Sequence, residues 1–130
     1  DLVAAGSENV VVMGDLNDFE DSVAMENLYQ GGVLTSTWYT LPAEARYSYI
    51  YNGISQVLDH VIVSPAMLEL LVSFSPVHLN ADYPYNLYYE DGNVPWRTSD
   101  HDPVAATFEI PVDVPPPPTT YKIYLPLVIR

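Results

Sequence analysis

Short apolar runs, separated by polar stretches rich in glycine, proline and asparagine, set the rhythm of this chain. Val10-Val11-Val12-Met13 is β-branched and stops at Gly14, where the polar Asp15-Leu16-Asn17-Asp18-Phe19 begins. The pattern predicts a buried strand that delivers polar side chains at its C-terminal end. Asp21 or Ser22 can then cap a helix to about Gln30, with Met25, Leu28 and Tyr29 on one face and Gly31-Gly32 as the stop. Tyr47 to Tyr51 alternates and ends in the turn signal Asn52-Gly53, with the next strand expected a few residues later. That strand is Val57-Leu58-Asp59-His60-Val61-Ile62-Val63, apolar on both faces except where Asp59 and His60 interrupt it.

Ser64-Pro65 predicts a short helical turn to Leu71, because proline suits the first helical position. A strand from about Val72 to Leu79 follows. Asn80 to Thr98 has no periodicity and is rich in Tyr, Pro, Asn and Asp, which predicts a long loop of the functional or mobile kind. The last strand is Val104 to Ile110, with Val104, Ala106, Phe108 and Ile110 on one face. Three segments result: a folded unit over 1–110, a proline-rich linker over 111–120 and a short apolar tail over 121–130. The tail is too short to cross a bilayer, and a docking strand, a surface-association segment and an export-related tail all remain open for it.

Composition narrows the chemistry. At 130 residues and 48% hydrophobic, with 11 Tyr, the chain has the content of a globular, strand-rich domain. Only 4 Lys and Arg stand against 17 Asp and Glu, a net charge of -13, so no basic patch exists to hold a phosphate backbone by counterion release. Any phosphate chemistry here needs a cation. The absence of cysteine excludes disulfides, thiolate metal sites and a cysteine nucleophile. No run of about 18 apolar residues is present to span a membrane. The chain opens at Asp1 and almost at once enters a strand, from which a missing N-terminal portion is expected.

The chemistry concentrates in Ser99-Asp100-His101-Asp102-Pro103-Val104. A histidine beside carboxylates suits general-base work, because a carboxylate stabilises the imidazolium that forms. Set against this, Ser, Asp and Pro also make an ordinary polar turn. Asp59, within an apolar strand, would cost several kcal/mol if unpaired, so it requires a hydrogen-bonded partner, and histidine is the natural one. His60 points to the other face and is read as a core or interface histidine. Asp15 with Asn17, Asp59, and Asp100 with His101 are each attached to an apolar strand, so they converge if those strands lie together.

These segments, with Tyr47 to Gly53 and Val77-His78-Leu79-Asn80-Ala81-Asp82, resemble the endonuclease/exonuclease/phosphatase superfamily, and within it the secreted bacterial nucleases. The resemblance covers about residues 8 to 110. It implies the C-terminal part of a four-layer α/β sandwich with mixed β-sheets, hydrolysing phosphate esters with a divalent metal, magnesium first and calcium or manganese as alternatives. Carried over by position, His101 is the general base and Asp59 fixes its tautomer. Asp100 binds or orients the metal, Asp15 ligates metal or positions the nucleophile, and Asn17 donates a hydrogen bond to the phosphate. His78 and Asp82 either line the site, His78 as a substrate-binding residue, or hold the long loop. Tyr83, Tyr85, Tyr88, Tyr89 and Trp96 are candidates for stacking on bases or for packing the loop.

The family's upstream glutamate, asparagine and second histidine have no counterpart here, so the chain on its own is expected to carry an incomplete, inactive site and an exposed sheet face or edge. The resemblance implies a nucleic acid or nucleotide substrate, no stable protein partner, and a secreted or cell-surface location. The rival readings are a phosphomonoesterase or small-substrate phosphodiesterase on the same scaffold, and a non-catalytic surface module.

Overall fold

Asp59–Val63 is buried along nearly its whole length, and the other strands are placed by their relation to it. A computed structural model of the chain describes residues 8–84 and 94–111. In chain order the elements are β1 (Val11–Asp15), α1 (Val23–Tyr29), β2 (Thr35–Ser36), β3 (Tyr49–Tyr51), β4 (Ile54–Gln56), β5 (Asp59–Val63), α2 (Pro65–Glu69), β6 (Leu71–Pro76) and β7 (Val104–Phe108). Short 3-10 turns occupy Gln30–Gly32, Thr37–Thr40 and Ala43–Ala45. The chain is therefore of mixed α and β class, as expected, and among the described residues every strand pairing is antiparallel: β1-β5-β2, β3-β4 and β6-β7.

Alternation along β5 sorts its side chains between two faces. Val61 and Val63 join Trp38, Val57, Met67 and Phe74 in one core, with Leu41, Leu68, Leu70, Leu71, Val104, Ala106 and Phe108 packed around it. Trp38 meets Phe74 edge-on, ring centroids 4.9 Å apart, and its indole N–H donates to the Asp59 carbonyl at 2.8 Å. A large aromatic thus fills the core while its one polar atom finds a partner. His60 and Ile62 turn to the other face, where both are also buried.

Ser22 caps α1 by accepting from the Met25 amide, and Ser64 caps α2 by accepting from the Met67 amide with Pro65 at the first helical position. α1 buries a narrower stripe than its periodicity promised. Met25 is buried and Tyr29, one turn on, is half-buried, but Leu28 at the flank of this two-turn helix is exposed. The β3–β4 hairpin is tighter than expected. Asn52 and Gly53, at φ 50° and 78°, form the whole loop and β4 starts at Ile54. Two consecutive left-handed residues give a turn whose twist matches that of the strands it joins. β5 begins at Asp59 rather than Val57, α2 ends at Glu69, and β6 stops at Pro76, although the Val77 amide still donates to the Pro103 carbonyl at 2.8 Å. β7 ends at Phe108, and Ile110 lies beyond it, exposed.

Among the described residues β1 pairs on one side only, and all five of its residues are exposed, Met13 to 67%. The linker from 112 to 120 and the tail 121–130 lie outside the described residues, and no described helix is long and apolar enough to cross a membrane.

Candidate active site

The register Asp15↔Asp59 at the ends of β1 and β5 brings the first two carboxylates side by side. A third segment reaches them through an isolated antiparallel pairing of Tyr49 with His101, reinforced by the Asp102 amide donating to the Ser48 carbonyl at 2.7 Å. As a result His101 Nδ1 donates to Asp59 Oδ2 at 2.7 Å. The partner that Asp59 required is thus the histidine, together with Ser48, whose hydroxyl donates to the same oxygen at 2.6 Å. With Nδ1–H committed to the carboxylate, the Nε2 lone pair of the half-buried imidazole is left to accept a proton.

Asp15, Asp59 and His101 each offer a ligand atom within 4.8 Å of the others, close enough to hold a metal ion. The set fits a divalent cation of the hard, oxygen-preferring kind, since two of the three donors are carboxylates. Asp15 is exposed, and its Oδ1 accepts from the Asn17 amide at 2.8 Å, which leaves Oδ2 available. Asn17 itself sits in the left-handed region at φ 51°, a conformation that this Asx-type turn supports and that asparagine tolerates. Its side chain is exposed beside Asp15. Asp100 is not in this cluster. It is exposed and lines an adjoining cleft of about 430 Å³ with Tyr49, Ile50, Tyr51, Asn52 and Arg97.

His78 belongs to a second carboxylate–histidine pair. Its Nδ1 donates to Asp102 Oδ2 at 2.8 Å, and its ring stacks on Tyr47 at 4.2 Å. Asp102 is fully buried, and its other oxygen accepts from the amides of Leu79, Asn80 and Ala81 at 2.7–3.0 Å. Tyr47 in turn donates its hydroxyl to Asp82 at 3.1 Å. Desolvation, helped by the Asp82 hydrogen bond, raises the pKa of Tyr47, so it stays the donor. None of the hydrogen bonds of His78 reaches Asp15, Asp59 or His101; its contacts hold the start of the long loop. Asn80 completes that hold, donating to the His101 carbonyl at 2.6 Å and accepting from the Thr98 amide at 3.1 Å.

His60 is buried as expected and Nε2 meets the Asp18 carbonyl at 2.9 Å, but Nδ1 has no partner among the described residues. It ties down the turn that carries Asn17. Tyr83 and Trp96 stack on each other across the two described ends of the long loop, ring centroids 5.9 Å apart, while Tyr85, Tyr88 and Tyr89 lie outside the described residues. Sequence reasoning quoted Asp102 among the carboxylates flanking His101, and Ser48 and Tyr49 within an alternating run, but gave none of the three its own role. The alternation Tyr47-Ser48-Tyr49 held a usable signal, since it sends Ser48 to the face opposite its neighbours.

A model of the Endonuclease/Exonuclease/phosphatase family matches residues 1–101. No match was found among curated proteins or among solved structures.

Proposed function

The chain belongs to the endonuclease/exonuclease/phosphatase family, and from that premise we propose that it forms the base-bearing part of a metal-dependent phosphodiester hydrolase, an extracellular endonuclease acting on DNA or RNA. The family is one of hydrolytic enzymes that act on nucleic acid or phosphate substrates and usually employ a divalent metal. The observation that carries the reading is the 2.7 Å Asp59–His101 pair with Asp15 beside it.

In this mechanism Nε2 of His101 takes the proton of the water that attacks phosphorus, and Asp59 holds the ring in the required tautomer and stabilises the imidazolium. Ser48 keeps the Asp59 carboxylate aimed while leaving its second oxygen open. Asp15, with the free oxygen of Asp59 in reach, would hold the cation, leaving Nε2 of His101 open to act as the base. A bound divalent cation supplies neutralisation of the charge that builds on the phosphoryl oxygens. Asn17, held in its turn by the bond from its amide to Asp15, is positioned to donate to a phosphate oxygen.

The test is plasmid nicking by the full-length protein that carries this chain, with magnesium, beside His101→Ala and a chelator control. Nicking should need the metal and fall by about 10²–10⁴-fold in the variant. Undiminished turnover in His101→Ala overturns the mechanism. The net charge of -13 favours one rival, a small phosphate ester as substrate, and cleavage of nucleotides without nicking would establish it. The location outside the cell rests on the resemblance to secreted nucleases, and recovery of the protein from the medium rather than the cell interior checks it.

A further inference from the structure

Polyanion binding by a protein of net charge -13 gains nothing from phosphate attraction, so affinity for a nucleic acid has to come from the bases or from the metal. The β3 strand carries what a base requires. Tyr49 and Tyr51, two residues apart, share one face of β3, and their rings lie nearly parallel, 11° between planes and 6.3 Å between centroids. Tyr49 leans on the His101 imidazole at 4.7 Å, so the inner end of this pair touches the general base itself. Tyr51 at the outer end is 56% exposed, a large aromatic surface that the fold leaves uncovered. Together they wall the 430 Å³ cleft whose other sides include Asp100 and Arg97, a volume suited to one nucleotide.

We propose that Tyr49 and Tyr51 form a stacking ledge for the nucleobase next to the scissile phosphodiester, making nucleic acid with unpaired bases the substrate class, whether a single strand or the transiently opened stretches of a supercoiled plasmid. The position next to the scissile bond rests on the hydrolase reading above; the recognition of a base does not. A ring face accepts any base, so the ledge confers affinity without sequence preference. A phosphate ester lacking a base has nothing to place there. The tight Asn52-Gly53 turn keeps β3 fixed beneath the two rings.

The experiment titrates a hydrolysis-resistant, uncharged methylphosphonate octathymidylate, and its abasic counterpart, into the full chain and reads fluorescence anisotropy. The base-bearing ligand should bind about 5- to 150-fold tighter, the range expected for one stacked base. Tyr51→Ala should erase that preference and Tyr51→Trp restore it, with circular dichroism confirming that each variant folds. Equal affinity for the two ligands, no binding of either, or a preference that survives Tyr51→Ala overturns the ledge. Hydrolysis of natural octathymidylate by the full-length protein with magnesium is measured in parallel. Cleavage without base preference sinks the ledge alone, whereas a Tyr51-dependent preference without cleavage sinks the hydrolase reading and leaves a base-binding surface.

Discussion

Ser48 grips the strand that carries Asp59 from more than one side: its hydroxyl donates to the carboxylate and accepts from the amides of Leu58 and Asp59 at 3.3 and 3.2 Å. Replacing Asp59 with Asn should remove the acceptor that sets the His101 tautomer. We expect kcat to fall by about 10²-fold or more with KM nearly unchanged, measured on a short oligonucleotide. A matching loss in KM would instead assign Asp59 to substrate binding. Tyr29 offers a separate test of burial. Desolvation, only partly opposed by the nearby Ser36, pushes it up to about 12. The folded state thus holds its proton more tightly than the unfolded chain does. The stability this contributes is complete below about pH 10 and is lost as pH rises toward about 12. Tyr29→Phe, which removes a buried hydroxyl with no well-formed hydrogen bond among the described residues, should be neutral or stabilising by up to about 1 kcal/mol at pH 7 and should flatten that alkaline decline in urea melts. At this scale Asp59 was legible because a lone carboxylate in an apolar run demands a partner. The partners of Ser48 and Asp102 were not, because alternation gives Ser48 a face and the motif sets Asp102 beside His101, but only the fold shows what each one bonds.

Asp102, a buried side chain, ties the start of the loop to the segment that leads into β7. Asp102→Ala leaves the amides of Leu79, Asn80 and Ala81 without their acceptor and strips His78 of its partner, so a cost of about 3–5 kcal/mol is expected, read as a lowered urea midpoint. A loss below about 1 kcal/mol would mean that water replaces the carboxylate there. β1 presents the opposite condition, an exposed edge with apolar residues on both faces. Such an edge invites pairing with another chain, so Met13→Lys should reduce concentration-dependent association in light scattering while changing the melting midpoint little. β1, β3, β5, β6 and β7 were legible from alternation and β-branching, α1 with its cap left open between Asp21 and Ser22, and α2 from Pro65 at its first position, whereas β4 was passed over for a strand placed a few residues later. The two-residue β2 and the 3-10 turn holding Trp38 were not legible. Two residues give no periodicity, and that tryptophan's burial depends on partners far away in the chain.

Charge is the property that belongs to the whole molecule. With 17 acidic against 4 basic residues, added salt screens repulsion instead of competing with attraction. Affinity for a natural oligonucleotide, with the divalent cation held constant, should therefore stay flat or rise between about 50 and 200 mM salt, where a basic protein making several phosphate contacts would lose orders of magnitude. A steep fall would reveal a cationic contact surface that the composition does not suggest. The convergence of Asp15, Asp59 and His101 was readable only as a condition, that their strands lie together. The missing information was pairing: nothing in the local sequence says that Tyr49 meets His101 or that Asp15 faces Asp59.

That pairing has a consequence for how this chain can change. Along the bridge, the adjacent residues His101 and Asp102 turn to opposite sides, His101 to Asp59 and Asp102 to His78, so the two carboxylate–histidine pairs stand back to back on one stretch of backbone. Substitutions on either face leave the alternation intact. An inserted or deleted residue between 99 and 103 reverses it, turning the general base toward the loop and the loop's clamp toward the phosphate. In a library of random variants, this segment should accept many side-chain replacements at the exposed Pro103 yet reject nearly every change in length.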